Sequence, residues 1–323
     1  MLRRRLLGRT GLEVTTLGYG AMDLSGEHDE GGRPFSGRQA EQILNAVLDA
    51  GINLLDTAND YGASEELIGR FAGHRRQDFY LATKCGCPVA SDGQAAPPGH
   101  VWTRENLLRN IETSLRRMKT DHVDVWQLHN PSVEQATAGD LVRAMEEVRA
   151  AGKARWIGVS STLPHITDFI TWGAFDTFQL PYSGLERAHE DVITAAACAG
   201  GGTIIRGGVA RGAPNFRRRL RVRLGLHRTD PWAIWAKAGL DEFRAPRESR
   251  TAFLLRFTLS HSGVHTTIVG TTNPAHLREN VRAVETGPLP ADVYAEVKRR
   301  LELAGQGPAR GRPHPRGATR GFT

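Results

Sequence analysis

Cysteine is scarce, with three in 323 residues, and an odd handful in a chain this long excludes a disulfide scaffold and points to a reducing compartment. Long apolar runs are missing as well. Nothing approaches the ~18 uninterrupted apolar residues of a membrane span, and Met1-Leu2-Arg3-Arg4-Arg5-Leu6-Leu7-Gly8 is charged without an apolar region of signal-peptide length. A cytoplasmic protein with no membrane association is expected. The composition, 40% hydrophobic and 24% charged, is that of an ordinary globular chain and excludes collagen-like or wholly disordered readings.

Acid is absent from three segments. Arg3 to Arg5 carry +3, residues 206–228 hold eight Arg, and residues 305–323 hold four, so a chain of net charge +7 has a remainder of −8. A mildly acidic body with basic termini and one basic loop is not a surface built to track nucleic acid, and no nucleic-acid partner is expected.

Short β-rich runs alternate with amphipathic ones almost end to end, the pattern of repeated βα units around a parallel sheet. Strands are predicted at 16–19, 53–55, 79–83, 123–128, 154–159, 177–180, 203–205 and 266–269. Helical spacing runs between them, as at 38–50 and at 103–118, where Thr103 opens a cap-like signal. Eight units in roughly 250 residues predict a single α/β domain, a (β/α)8 TIM barrel over residues 1–304. The competing open doubly wound sheet lacks its Gly-x-Gly-x-x-Gly fingerprint, because Gly18-Tyr19-Gly20-Ala21-Met22-Asp23 stops short. Residues 6–14 read as a hairpin that plugs the barrel bottom. Residues 87–102 and 212–246 read as long functional loops, and 305–323 as a disordered Gly/Pro/Arg-rich tail.

In a parallel barrel the active site lies at the carboxyl ends of the strands. The apolar runs here end in Asp56, Lys84, His129, Ser160, Gln179, Arg206 and Gly270 with Thr271, and Tyr61 stands five residues past Asp56. A Lys beside a Tyr hydroxyl favours the phenolate and lowers the phenol's pKa from about 10. An adjacent Asp keeps that Lys charged, and a His can donate to a carbonyl oxygen as negative charge builds there. The set has an acid and an oxyanion donor but no nucleophile or metal ligand, which suits a reaction whose hydride comes from a cofactor. Taken singly, the same residues also read as a buried ion pair, a core Tyr and a satisfied His.

The chain resembles the aldo-keto reductase superfamily from about Leu7 to about Leu303. The carrying stretches are Leu7-Gly8-Arg9-Thr10-Gly11-Leu12, Leu55-Asp56-Thr57-Ala58-Asn59-Asp60-Tyr61-Gly62-Ala63-Ser64-Glu65, Ala82-Thr83-Lys84, Gln127-Leu128-His129, Ile157-Gly158-Val159-Ser160 and Ile268-Val269-Gly270. The resemblance implies a nicotinamide-dependent oxidoreductase that interconverts an aldehyde or ketone and an alcohol. Its catalytic tetrad would be Asp56, Tyr61, Lys84 and His129, with Tyr61 as general acid and a small carbonyl or alcohol as substrate.

The resemblance also implies a cofactor site. Ser160, Ser161 and Gln179 would grip the nicotinamide carboxamide, although the second position is commonly Asn, and Arg206 would cover the ring face. Gly20, Met22, Asp56 and Gly207 belong to the same lining, and Arg211 would close over the pyrophosphate. Gly270, Thr271, Thr272 and His276 fall in the adenosine-phosphate segment, with Glu279 and Asn280 as adenine contacts. Members selective for NADPH often carry Lys and Arg where this chain has Gly270 and His276. NADP(H) is still favoured over NAD(H), with Thr271, Thr272 and His276 in place of those cations.

Three features stay open on sequence alone. The basic loop is either an anion clamp or a solvated face, and Trp232 with Trp235 either roof a pocket or pack. The family also contains channel-associated subunits that hold the cofactor and act through partners, so a sensing module is the alternative function. No metal is expected: Cys85 and Cys87 have no Cys or His near them in sequence, and Gly263 separates His261 from His265 at a helix-to-strand junction.

Overall fold

The computed structural model describes residues 1–25, 36–88, 99–209 and 231–309. Among them eight parallel strands close into a barrel: β3 (Leu17–Gly20), β4 (Leu54–Asp56), β5 (Tyr80–Cys85), β6 (Val123–His129), β7 (Ala154–Ser160), β8 (Thr177–Pro181), β9 (Gly202–Arg206) and β10 (Thr266–Val269). Closure is made where β10 pairs with β3, Val269 opposite Tyr19. All eight predicted strands are present, each within two residues of its expected ends, and the open-sheet alternative is excluded.

Before the barrel, β1 (Arg4–Leu6) and β2 (Glu13–Thr15) form the expected antiparallel hairpin. Its Leu7, Leu12 and Val14 pack with Leu54, Ala82, Val125, Ile204 and Ile268 inside the barrel. The tip sits hard on the start of β9: a β-carbon on Gly8, whose φ is +54°, would lie 2.3 Å from the Gly202 nitrogen. The hairpin therefore stops the amino-terminal end of the barrel with apolar side chains.

Amphipathic helices cover the outside, burying one face against the strands in a second, larger apolar core. Their starts are written locally. At α1 (Gly37–Asp49) Ser36 and Gln39 form a capping box, and at α3 (Arg104–Met118) the Thr103 hydroxyl accepts from the Asn106 amide. Helix α2 (Ser64–Phe71) follows the Tyr61 turn and lies close on α3. The outer shell continues through α4 (Val133–Ala138), α5 (Leu141–Ala150), α6 (His165–Trp172), α7 (Glu190–Cys198), α8 (Pro231–Lys237), α9 (Arg250–Ser260), α10 (Pro274–Thr286) and α11 (Ala291–Leu303).

One expectation changes, and one open reading is decided in favour of packing. Residues 305–309 are docked, not loose: Gln306 donates to the Leu185 carbonyl at 2.7 Å, and Ala309 donates to Ala188 at 3.1 Å. The cause is Arg187, fully buried, whose guanidinium reaches Glu190, Glu302 and the carbonyls of Lys298 and Gln306. Residues 310–323 lie outside the described residues. Trp235 is fully buried, edge-on to Phe253 at 5.5 Å and to Trp232 at 5.7 Å, with Arg250 over both indoles. The pair packs α8 onto α9.

Gly69 sets how closely α2 approaches α3, since a β-carbon there would lie 2.3 Å from the Arg117 carbonyl oxygen and 2.7 Å from Met118 backbone. Gly69→Ala should destabilise the fold by about 1–3 kcal/mol, read by urea denaturation. An unchanged midpoint would show that the two helices are free to separate.

Candidate active site

The register of the barrel gathers the predicted strand ends at one mouth. Gly20 lies beside Asp56, His129 beside Ser160, and Ser160 beside Gln179. Lys84 on β5 extends to β4, its Nζ 2.5 Å from Asp56 Oδ2 and 2.8 Å from the Thr57 carbonyl. Asp56 Oδ1 accepts from Gln127 on β6 at 3.0 Å and from Gln179 on β8 at 2.8 Å. Both charges are buried, and both carboxylate oxygens are satisfied. Burial alone would pull the Lys84 ammonium down, but the Asp56 charge, together with Tyr61 and the hydrogen bonds to both, more than offsets it and holds the group above its ordinary value.

Tyr61 sits on the turn between β4 and α2. Several contacts hold that turn from behind: Arg117 donates to the Asn59 carbonyl at 3.0 Å and to Glu65 at 3.2 Å, and Ser64 Oγ donates to the Ala21 carbonyl at 2.9 Å. Gly62, at φ +51°, has no room for a β-carbon, which would lie 2.2 Å from the Ser25 carbonyl oxygen. Lys84 Nζ comes within 4.9 Å of the Tyr61 ring centre. His129 meets the same ring edge-to-face at 5.9 Å. Asp56, Tyr61, Lys84 and His129 are thus brought together.

One electrostatic expectation is corrected. Burial pushes the Tyr61 phenol up, and although Lys84 pulls it back, Asp56 and Asp60 add to the rise, so the net direction is above the ordinary 10. The cation beside Tyr61 is legible in the sequence, whereas the desolvation that outweighs it is a property of the fold. The phenol is held protonated, the form an acid needs.

The cofactor candidates divide. Ser160 Oγ donates to Gln179 Oε1 at 3.0 Å, and the same Gln179 amide serves Asp56, so each keeps only part of its capacity for a ligand. Ser161 is fully buried, and its Oγ has no hydrogen-bond partner among the described residues. Arg206 ends β9, and Gly207 follows it at φ +72°. Met22 is exposed on the short turn after β3. Beyond β10, Gly270 fits against β3, where a β-carbon would lie 2.9 Å from the Gly20 carbonyl and 2.7 Å from Asp23. The Tyr19 hydroxyl donates to the Thr271 carbonyl at 2.9 Å. Thr272 leads to Asn273, which caps α10 with Pro274 in its first turn; His276 is exposed in that turn, with Glu279 and Asn280 one turn on. Arg211 lies outside the described residues, as does the rest of the basic loop from residue 210 to residue 230.

Sequence reasoning missed Gln127 as a prop of Asp56. It also missed a second cluster at the mouth, where Asp60, Cys87, His100 and His129 each bring one metal-ligating atom within 4.8 Å of the others. These residues come from separate segments, so no spacing signals them. His129 and Cys87 hold the Asp60 carboxyl down at about 2 against a burial that would raise it. Burial and Asp60 push the Cys87 thiol up. Cys85 is apart from the cluster, its thiol on the Gln127 carbonyl. His261 bonds the Glu190 carbonyl, while His265 bonds Thr203 at the amino-terminal end of the barrel.

The mouth of the closed parallel barrel brings a phenol, a buried ammonium–carboxylate pair and an imidazole together, groups able to give and take protons. The chain belongs to the aldo/keto reductase family, whose model matches residues 16–302. It is similar to YqkF of Bacillus subtilis, described as an uncharacterized oxidoreductase, at 28% identity over 87% of this chain and 91% of that one. It is similar to L-galactose dehydrogenase of Arabidopsis thaliana at 26% identity over 92% and 94%. Among solved structures, the holo form of aldo-keto reductase AKR11C1 from Bacillus halodurans superposes with a TM-score of 0.80 at 26% identity, covering 97% of this chain and 99% of that one. The protein is an oxidoreductase of the carbonyl-reducing kind. No helix among the described residues is long and apolar enough to cross a membrane.

Lys84→Met leaves the buried Asp56 carboxylate with two amide donors and no cation. A loss of about 3–5 kcal/mol in unfolding free energy is expected from breaking such a pair. A loss below about 1 kcal/mol would mean that Gln127 and Gln179 alone satisfy Asp56.

Proposed function

We propose that the protein reduces an aldehyde or ketone to an alcohol, or runs the reverse oxidation, with a nicotinamide cofactor and with Tyr61 as general acid. The observation that carries this reading is the placement of the half-buried Tyr61 ring 4.9 Å from the Lys84 ammonium, with Lys84 fixed by Asp56. When bound, the nicotinamide supplies or accepts the hydride. Tyr61 gives its phenol proton to the substrate oxygen in reduction and takes it back in oxidation. Lys84 stabilises the phenolate left behind, Asp56 keeps Lys84 charged, and His129 donates to the substrate oxygen and orients it.

The residues at the mouth fit the cofactor. The Ser161 hydroxyl, without a partner among the described residues, suits an amide group, and Ser160 and Gln179 have remaining hydrogen-bonding capacity. Arg206, Gly207, Gly20 and Met22 would line it. The start of α10 with Thr271, Thr272 and His276 would take the adenosine phosphate, and Glu279 and Asn280 the adenine. We favour NADP(H) over NAD(H), because a helix amino terminus with two hydroxyls and an imidazole can hold an extra phosphate without the cation that Gly270 has no room for. The likeness to a sugar dehydrogenase makes a sugar-type alcohol a candidate substrate for the oxidative direction.

Tyr61→Phe should lower turnover by about 10²–10⁴-fold while fluorescence titration gives an unchanged cofactor Kd. Retained activity would remove Tyr61 as the acid. Because burial raises the phenol, the reduction rate should hold through neutral pH and fall only above about 10, where the proton is lost. A fall near neutrality would assign the acid elsewhere. Separate titrations should show tighter binding of NADPH than of NADH, and the opposite order would overturn the stated preference. Binding without turnover across a broad carbonyl panel would favour the sensing module.

A further inference from the structure

We propose that Asp60, Cys87, His100 and His129 form a site for one divalent transition-metal ion of the zinc type. Their ligand atoms lie within 4.8 Å of one another. His129 Nδ1 is 3.5 Å from Cys87 Sγ and 3.5 Å from Asp60 Oδ1. For a nitrogen and a carboxylate oxygen that spacing is longer than a good hydrogen bond. Both separations match edges of a tetrahedron around a metal, since bonds of about 2.0–2.3 Å to nitrogen, oxygen and sulfur give edges of about 3.3–3.6 Å, while the other four pairs lie within 4.8 Å.

The donor set agrees in charge and softness. One carboxylate and one thiolate neutralise a divalent cation, and the two imidazoles add no charge. Thiolate with imidazole selects zinc-like ions over magnesium or calcium. Binding forms a sulfur–metal bond and releases the Cys87 thiol proton to solvent, with no change in oxidation state.

The backbone holds the ligands in place. Asp60, Cys87 and His129 follow or end neighbouring strands β4, β5 and β6. The segment bearing His100 is clasped to the one bearing Cys87, since the Val101 amide donates to the Gly86 carbonyl at 2.7 Å. Asn110 on α3 secures the same stretch, accepting from the Gly86 amide at 2.7 Å and donating to the Cys87 carbonyl at 2.9 Å. Asn106 donates to the Val101 carbonyl at 2.8 Å. The His100 ring stacks on Trp102 at 5.3 Å and stands perpendicular to His129. The hydrogen bonds fix the backbone beside Cys87 and His100, and the stacking fixes the plane of the His100 ring. An ion on Nδ1 leaves the ring proton of His129 on Nε2 and so fixes its tautomer.

The test is titration of chelator-treated full-length protein with Co2+. One equivalent should produce the intense visible bands of a tetrahedral site and a thiolate-to-cobalt charge-transfer band, both displaced by Zn2+. Cys87→Ser should abolish the charge-transfer band, Cys198→Ser should leave it intact, and His100→Ala, an exposed position, should weaken cobalt affinity at least about tenfold. Absence of these bands in the wild-type protein, or their survival in Cys87→Ser, would overturn the site.

Discussion

The buried pair of Asp56 and Lys84 is the constraint on which the mouth of this barrel depends. It joins β4 to β5, and through Gln127 and Gln179 it draws in β6 and β8, so one carboxylate ties strands from opposite sides of the barrel. An ion pair taken out of water is stabilising only when its remaining valences are filled. Here two glutamine amides and the Thr57 carbonyl fill them. The position of the ammonium under Tyr61 is then inherited from four strands and not from one flexible side chain.

Much of this was legible in the sequence, because a parallel barrel turns strand order into spatial order. Once eight apolar runs are placed, the residues that end them must share a mouth, and the motif around Asp56 and Tyr61 fixes which ends matter. What escaped has a common cause. The sign of the Tyr61 shift depends on burial, which no local pattern reports. The docking of residues 305–309 depends on the Arg187 guanidinium reaching across more than a hundred residues of chain. The grouping of Asp60, Cys87, His100 and His129 arises from adjacent strand ends and one clasped loop, and their separations in sequence carry no ligand spacing.

Two polar clusters therefore share His129's surroundings and differ in wetness. Asp56 and Lys84 are sealed, whereas Asp60 and His100 are exposed and His129 is half-buried. The inner cluster meets no solvent, so its charges are fixed by each other. The outer cluster answers to what the solution brings, and Tyr61 and His129 stand between the two.

The hairpin at the far end has a consequence for traffic. With Leu7, Leu12 and Val14 wedged among the inward side chains and Gly8 pressed onto β9, the barrel has a floor. Its mouth is at once entrance and exit.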